Sequence, residues 1–186
     1  MHPQADKGCM LNSTVVRVTH RYQLPVQRAF DAWLTPALAG RFLFATRTGN
    51  ILHCEIDPQV GGRFTVTDRR PTADGDESFF EAQHHGVFIQ IERPRKLVFD
   101  LRVEPYSDQA TRVSLDFTAL GDNLCEIVLI HELGASEDAR ANAERARLGW
   151  VNMLSELDKV LSTRSWGVNL ETAVDRLFSA GSTRRH

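Results

Sequence analysis

The chain opens on polar, aperiodic residues, and its first regular pattern runs from Thr14 to Tyr22, where Val16 and Val18 alternate with Arg17 and Thr19. Period-two alternation predicts a strand with one buried face. The spacing then becomes helical. Val26, Ala29, Phe30 and Trp33 share one face after Pro25, and Thr35-Pro36 supplies a cap and first turn for a second short helix through Arg41 to Phe44. Alternation returns at Leu52, Cys54 and Ile56, and again at Phe64 and Val66 after the Gly61-Gly62 turn. It continues at Leu97, Phe99, Leu101 and Val103, then at Val113, Leu115, Phe117 and Ala119, and finally at Cys125, Ile127 and Leu129. The polar stretch from Pro71 to Ser78, with Asp74-Gly75, and the Gly121-Asp122-Asn123 turn separate these runs. Strands that follow one another without intervening helices predict an antiparallel meander.

The run from Phe79 to Ile91 changes face. Its apolar positions are even at Phe80 and Ala82 but odd at Val87, Ile89 and Ile91, which predicts a β-bulge beside Gly86 and a bent sheet. After Ser136, a suitable N-cap, the period becomes helical for six or so turns. Trp150, Met153, Leu154, Leu157, Val160 and Leu161 form one apolar stripe. A last amphipathic segment, with Leu170, Ala173, Val174, Leu177 and Phe178 on one face, ends before Gly181. The order strand, two short helices, six strands, long helix is that of an α+β helix-grip fold, a curved antiparallel sheet around a long C-terminal helix. The expected division is a flexible arm over 1–13, one domain over 14–162 and a helical extension over 163–186. A sheet gripping one helix leaves room for a cavity, and apolar cavities with a few polar groups hold small molecules.

Composition narrows the function. A net charge of −2 lacks the basic surplus of a nucleic-acid binder. Cys9, Cys54 and Cys125 are three and widely spaced, so they predict neither a disulfide framework nor a thiolate zinc site. No apolar leader region begins the sequence and no run reaches the roughly 18 apolar residues of a membrane span, so a cytoplasmic protein without a membrane partner is expected. Phosphate loops, dinucleotide fingerprints and serine elbows are missing, and no cofactor is expected.

Several segments together resemble a known family. They are Ala29-Phe30-Asp31-Ala32-Trp33-Leu34-Thr35-Pro36, Gly61-Gly62-Arg63-Phe64, and Gly86-Val87-Phe88 running on to Glu92-Arg93-Pro94-Arg95-Lys96-Leu97. Thr111-Arg112-Val113, His131-Glu132-Leu133 and Leu148-Gly149-Trp150 complete the set. In that order they resemble the homologues of the activator of heat-shock protein 90 ATPase, a branch of the START-like superfamily that also holds lipid carriers, polyketide cyclases and stress proteins. The resemblance spans roughly Thr14 to Leu161 and implies the helix-grip fold. Members often carry a histidine four residues before the tryptophan of the Gly-Trp pair; here that position is Ala146, so roles resting on that imidazole are not expected.

The inward face of the strands carries three ionisable groups: Asp68, His84 and His131. They are candidates for polar ligand contacts, for acid–base work or for metal binding, although a simpler reading leaves them hydrogen-bonded or wet at strand ends. His84 and His85 point to opposite faces of a strand, and no His-Glu-x-x-His pattern exists, so metal ligands are not assigned. Trp33, Phe42, Phe44, Phe64, Phe99, Phe117 and Trp150 are the large inward candidates; core packing accounts for most, and Trp33, Phe42, Phe44 and Trp150 are placed at a cavity mouth. Arg147, one turn before Trp150, is a candidate for a ligand carboxylate or a solvated helix arginine. The leading expectation is a module that binds an apolar or amphipathic small molecule without covalent chemistry. Two readings stay open beside it: a protein-interaction module that modulates a chaperone ATPase, and a cyclase or hydrolase using polar cavity groups. The last apolar stripe must be covered, either by its own domain or by a second copy in a homodimer, and the homodimer is the preferred reading.

Overall fold

A computed structural model of the chain describes residues 13–72 and 78–162. The expected arm, most of the hairpin loop after Thr72 and the C-terminal extension, on which the homodimer expectation rests, lie outside the described residues. Seven strands run in chain order as β1 (Thr14–Tyr22), β2 (Asn50–Ile56), β3 (Arg63–Pro71), β4 (Phe79–Glu92), β5 (Lys96–Glu104), β6 (Thr111–Gly121) and β7 (Leu124–Gly134). They form one antiparallel sheet ordered β1-β7-β6-β5-β4-β3-β2. The short helices α1 (Val26–Ala32) and α2 (Pro36–Phe42) carry the chain from one edge strand to the other, and the long α3 (Glu137–Ser162) packs on the sheet's concave face.

The sequence signals explain these elements. Ser136 Oγ accepts the Ala139 N–H at 3.0 Å, and Glu137 and Asp138 sit at the positive end of α3. All six residues of the α3 apolar stripe are buried, each contributing roughly 1.5–3 kcal/mol before entropy. Tyr22, at the end of β1, donates from its hydroxyl to the Leu154 carbonyl at 2.9 Å and ties the sheet edge to the middle of α3. Burial and the nearby Asp158 raise the Tyr22 pKa well above the ordinary phenol value.

Four details depart from the periodic reading. The face switch of β4 falls between Phe88 and Gln90, not beside Gly86: Phe88 points in, Val87 does not, and Ile89 is exposed. Gly86 answers a different need, because the Phe64 ring lies against it and a Cβ there would stand 2.0 Å from Phe64 Cε1. A second bulge between Ile51 and His53 turns Leu52 outward while Ile51 packs on the core. Ala119 is exposed, since β6 and β7 continue beyond the part that packs on the helices. The second short helix stops at Phe42, and Thr35 uses its hydroxyl to donate to the Asp31 carbonyl rather than to cap α2. Phe44, just past that helix, holds φ +58°, a left-handed value unusual for a bulky residue.

Candidate functional site

Every sequence-nominated polar group on the strands is buried: Asp68 is 0% exposed, His84 5% and His131 7%. They form two separate arrangements rather than one. Asp68 on β3 and His84 on β4 are diagonal neighbours on one sheet face, and His84 Nε2 lies 2.8 Å from Asp68 Oδ1. Arg70, two residues along the same face, donates its Nε–H to Asp68 Oδ2. Burial disfavours the Asp68 carboxylate, but the hydrogen bonds from His84 and Arg70, with the Arg70 charge, outweigh it and hold its pKa below the usual range. An ionised carboxylate only accepts, so His84 carries its proton on Nε2. Burial lowers the His84 pKa against the pull of Asp68, which keeps the ring neutral and leaves Nδ1 an acceptor. That Nδ1 is buried and has no hydrogen-bond partner among the described residues.

His131 sits elsewhere on the same wall. The Trp150 indole donates its Nε1–H to His131 Nδ1 at 3.0 Å. Because indole nitrogen is a donor only, His131 is protonated on Nε2, which donates to Thr111 Oγ1 at 2.8 Å. Thr111 in turn donates to the Leu101 carbonyl at 3.2 Å, so the polar chain Trp150–His131–Thr111–Leu101 is satisfied end to end. Burial holds the His131 pKa down to about 4.

Phe44 joins the two. Its ring stacks on His84 with centroids 3.9 Å apart and planes 5° from parallel, and it lies 6.0 Å from the Trp150 ring. Phe64 packs 6.4 Å from Phe44 on one side and 5.2 Å, edge to face, from Phe99 on the other. Phe64, Asp68, His84, Phe99 and His131 on the strands, Phe44 just after α2 and Trp150 on α3 therefore form one continuous buried patch. The remaining aromatic candidates lie toward the two short helices. Trp33 packs edge to face on Phe42, Phe117 packs on Phe30 of α1, and the buried Trp33 Nε1 has no hydrogen-bond partner among the described residues. Arg147 lies on the exposed face of α3, where its guanidinium pairs with Glu144. Phe44, Phe64, Phe99 and Trp150 all belong to the buried core cluster on this side of the sheet.

Arg70 and Thr111 were missed by the periodic reading. Both were within its reach: Thr111 continues the inward series Val113, Leu115 and Phe117, and Arg70 continues Phe64, Val66 and Asp68. Among the described residues no group of three His, Cys, Asp or Glu side chains stands close enough to hold a metal ion. Burial raises the thiol pKa of both Cys54 and Cys125, and neither is in a disulfide. No described helix is long and apolar enough to cross a membrane.

An open, curved antiparallel sheet gripping one long C-terminal helix, with two short helices after the first strand, defines the START-like helix-grip class. Within that class the chain belongs to the family of activator of Hsp90 ATPase homolog 1-like proteins, whose sequence pattern matches residues 23–162. Solved structures agree on the fold. Protein Ms6760 from Mycobacterium smegmatis superposes with a TM-score of 0.67 at 16% identity, covering 82% of this chain and 93% of its own. An HSP90 activator from Plasmodium falciparum gives 0.59 at 21% identity, covering 79% and 95%. CalU16 from Micromonospora echinospora gives 0.56 at 20% identity, covering 90% and 85%. No curated protein matches the chain.

Proposed function

We propose that the protein binds a small amphipathic molecule between the sheet and α3, among Phe44, His84, Phe64 and Trp150, with no covalent chemistry. The unpartnered Nδ1 of His84 carries this reading. A buried acceptor without a partner costs roughly 1–3 kcal/mol, and a ligand hydroxyl or N–H would recover that cost. Asp68 fixes the tautomer, so the site presents an acceptor and selects a donor. Flat aromatic neighbours favour an unsaturated or aromatic body. Phe44 stacks on the face of the His84 ring, so the in-plane lone pair of Nδ1 is not the part of the imidazole that Phe44 covers.

Native mass spectrometry of freshly purified protein, compared with the same sample after denaturation, tests whether a ligand is carried. An extra mass lost on denaturation, and diminished in His84→Phe, is the expected result. A bare mass for the wild type, with no binding of added hydroxylated aromatics, would refute the reading.

The family match supports a second reading, contact with a chaperone through the outer surface. A pull-down with the full chain that enriches no chaperone counts against it. An acid–base enzyme built on Asp68 and His84 is the third; it falls if His84→Ala leaves turnover of every substrate class tested unchanged.

A further inference from the structure

A second hollow lies outside the sheet–helix interface, where α1, the start of α2, the β4–β5 turn and the last turn of α3 meet. It has a volume of about 320 Å³ and is open to solvent on one side. Leu34, Leu38 and Leu161 form its floor, and all three side chains are buried. The rim is charged. Arg93 pairs with Asp31 and lies 5.6 Å from the Phe30 ring centroid, which fixes its guanidinium at the edge. Asp31 also accepts from Gln27 Nε2 at 2.8 Å, so its carboxylate is engaged on both oxygens. Thr35 has already given its proton to the Asp31 carbonyl.

Arg28 is the unbalanced member. Among the described residues the only partner of its guanidinium is the Leu161 carbonyl, at a long 3.3 Å, and it meets no carboxylate. A guanidinium has five N–H donors in a planar fork, and one long bond leaves most of that capacity unused by the described residues. Among the described residues the rim therefore carries two cations against one anion, above an apolar floor, and the hollow's volume is at the lower end for ligand pockets.

We propose that this hollow is a binding site for a small amphipathic carboxylate, its acid group on the Arg28 fork and its short apolar tail on Leu34, Leu38 and Leu161. The site is separate from the His84 wall and does not depend on it. The fork and floor select for both parts of the ligand: a neutral tail lacks the charge-assisted bonds, and a free inorganic anion lacks the apolar contact.

Octanoate and 1-octanol titrated into the full-length protein, followed by methyl NMR of the leucines, test this. Octanoate is expected to shift the Leu34, Leu38 and Leu161 methyls saturably with a Kd on the order of 1 mM, and 1-octanol to bind about tenfold more weakly. Arg28→Gln is expected to erase most of that tenfold preference while leaving 1-octanol binding and the dispersion of the other methyls unchanged. Arg28→Lys, which keeps charge but loses the fork, is expected to fall between. The proposal is overturned by no saturable shift at about ten times that concentration, by equal affinity for acid and alcohol, or by an Arg28→Gln preference equal to wild type. Shifts confined to methyls around Phe44 and Trp150 would overturn it as well, while supporting the site beneath α3.

Discussion

Gly86→Ala is the perturbation whose outcome follows most directly from the packing. The added methyl would stand 2.0 Å from Phe64 Cε1 and 2.1 Å from Cζ, where carbon–carbon contact needs about 3.5–4.0 Å. Either the ring retreats by roughly 1.5 Å or the β4 backbone moves outward. Retreat is blocked. Phe99 meets the Phe64 ring edge-on at 5.2 Å, Phe88 lies at 5.4 Å and Phe44 at 6.4 Å. Overpacking costs about 1–3 kcal/mol, and a ring caged by three others belongs at the upper end, about 3 kcal/mol. In a chain of this length that corresponds to a fall of roughly 6–12 °C in Tm. Urea unfolding followed by tryptophan fluorescence gives the free energy, and calorimetry the Tm. Phe64→Leu removes the obstructing ring atoms, so the double variant should be more stable than the sum of the two single losses by at least about 1 kcal/mol. A Gly86→Ala protein within about 0.5 kcal/mol of wild type, or strict additivity in the double variant, would refute the steric argument.

Two further outcomes follow from the buried polar groups. His131 has a folded pKa of about 4 against an ordinary 6.5, so the unfolded chain binds the extra proton first as pH falls. Its contribution is complete above pH 6.5 and lost progressively toward pH 4, amounting to about 3 kcal/mol at most. The difference in urea stability between wild type and His131→Gln, whose amide can still accept from Trp150 and donate to Thr111, should narrow by that order across this window; a constant difference would contradict it. Tyr22→Phe deletes the buried bond to the Leu154 carbonyl and should cost about 1 kcal/mol in the same assay with little change in m-value.

Much of the fold was legible because one face of each strand is buried, and period two then identifies it. The same alternation that marks Phe64 and Val66 as inward marks Asp68, and the alternation through Ile127 and Leu129 reaches His131; both are buried as expected. What periodicity does not carry is which inward groups meet across strands. That depends on register, which places Asp68 opposite Ala82 and His84 one step along, and Val113 opposite His131 with Thr111 beside it. Bulges were legible in kind and not in place. Gly86 looked like the cause of the face switch, yet its absence of a side chain serves the Phe64 ring, and the extra residue sits at Ile89. Which rings meet one another was not legible, because alternation fixes which side a ring occupies and not which neighbour it packs against. Phe44 shows this most clearly: its position follows from a left-handed turn after α2 that no hydrophobic pattern announces.

Isothermal titration of the wild type with 2-naphthol and with naphthalene tests the site beneath α3 most directly. The two share a flat body, and only the first has a hydroxyl to give His84 Nδ1. A preference for 2-naphthol of about tenfold or more, matching one recovered buried hydrogen bond and abolished in His84→Phe, is the result expected. Equal affinities, or a preference that survives His84→Phe, would contradict the role assigned to that nitrogen.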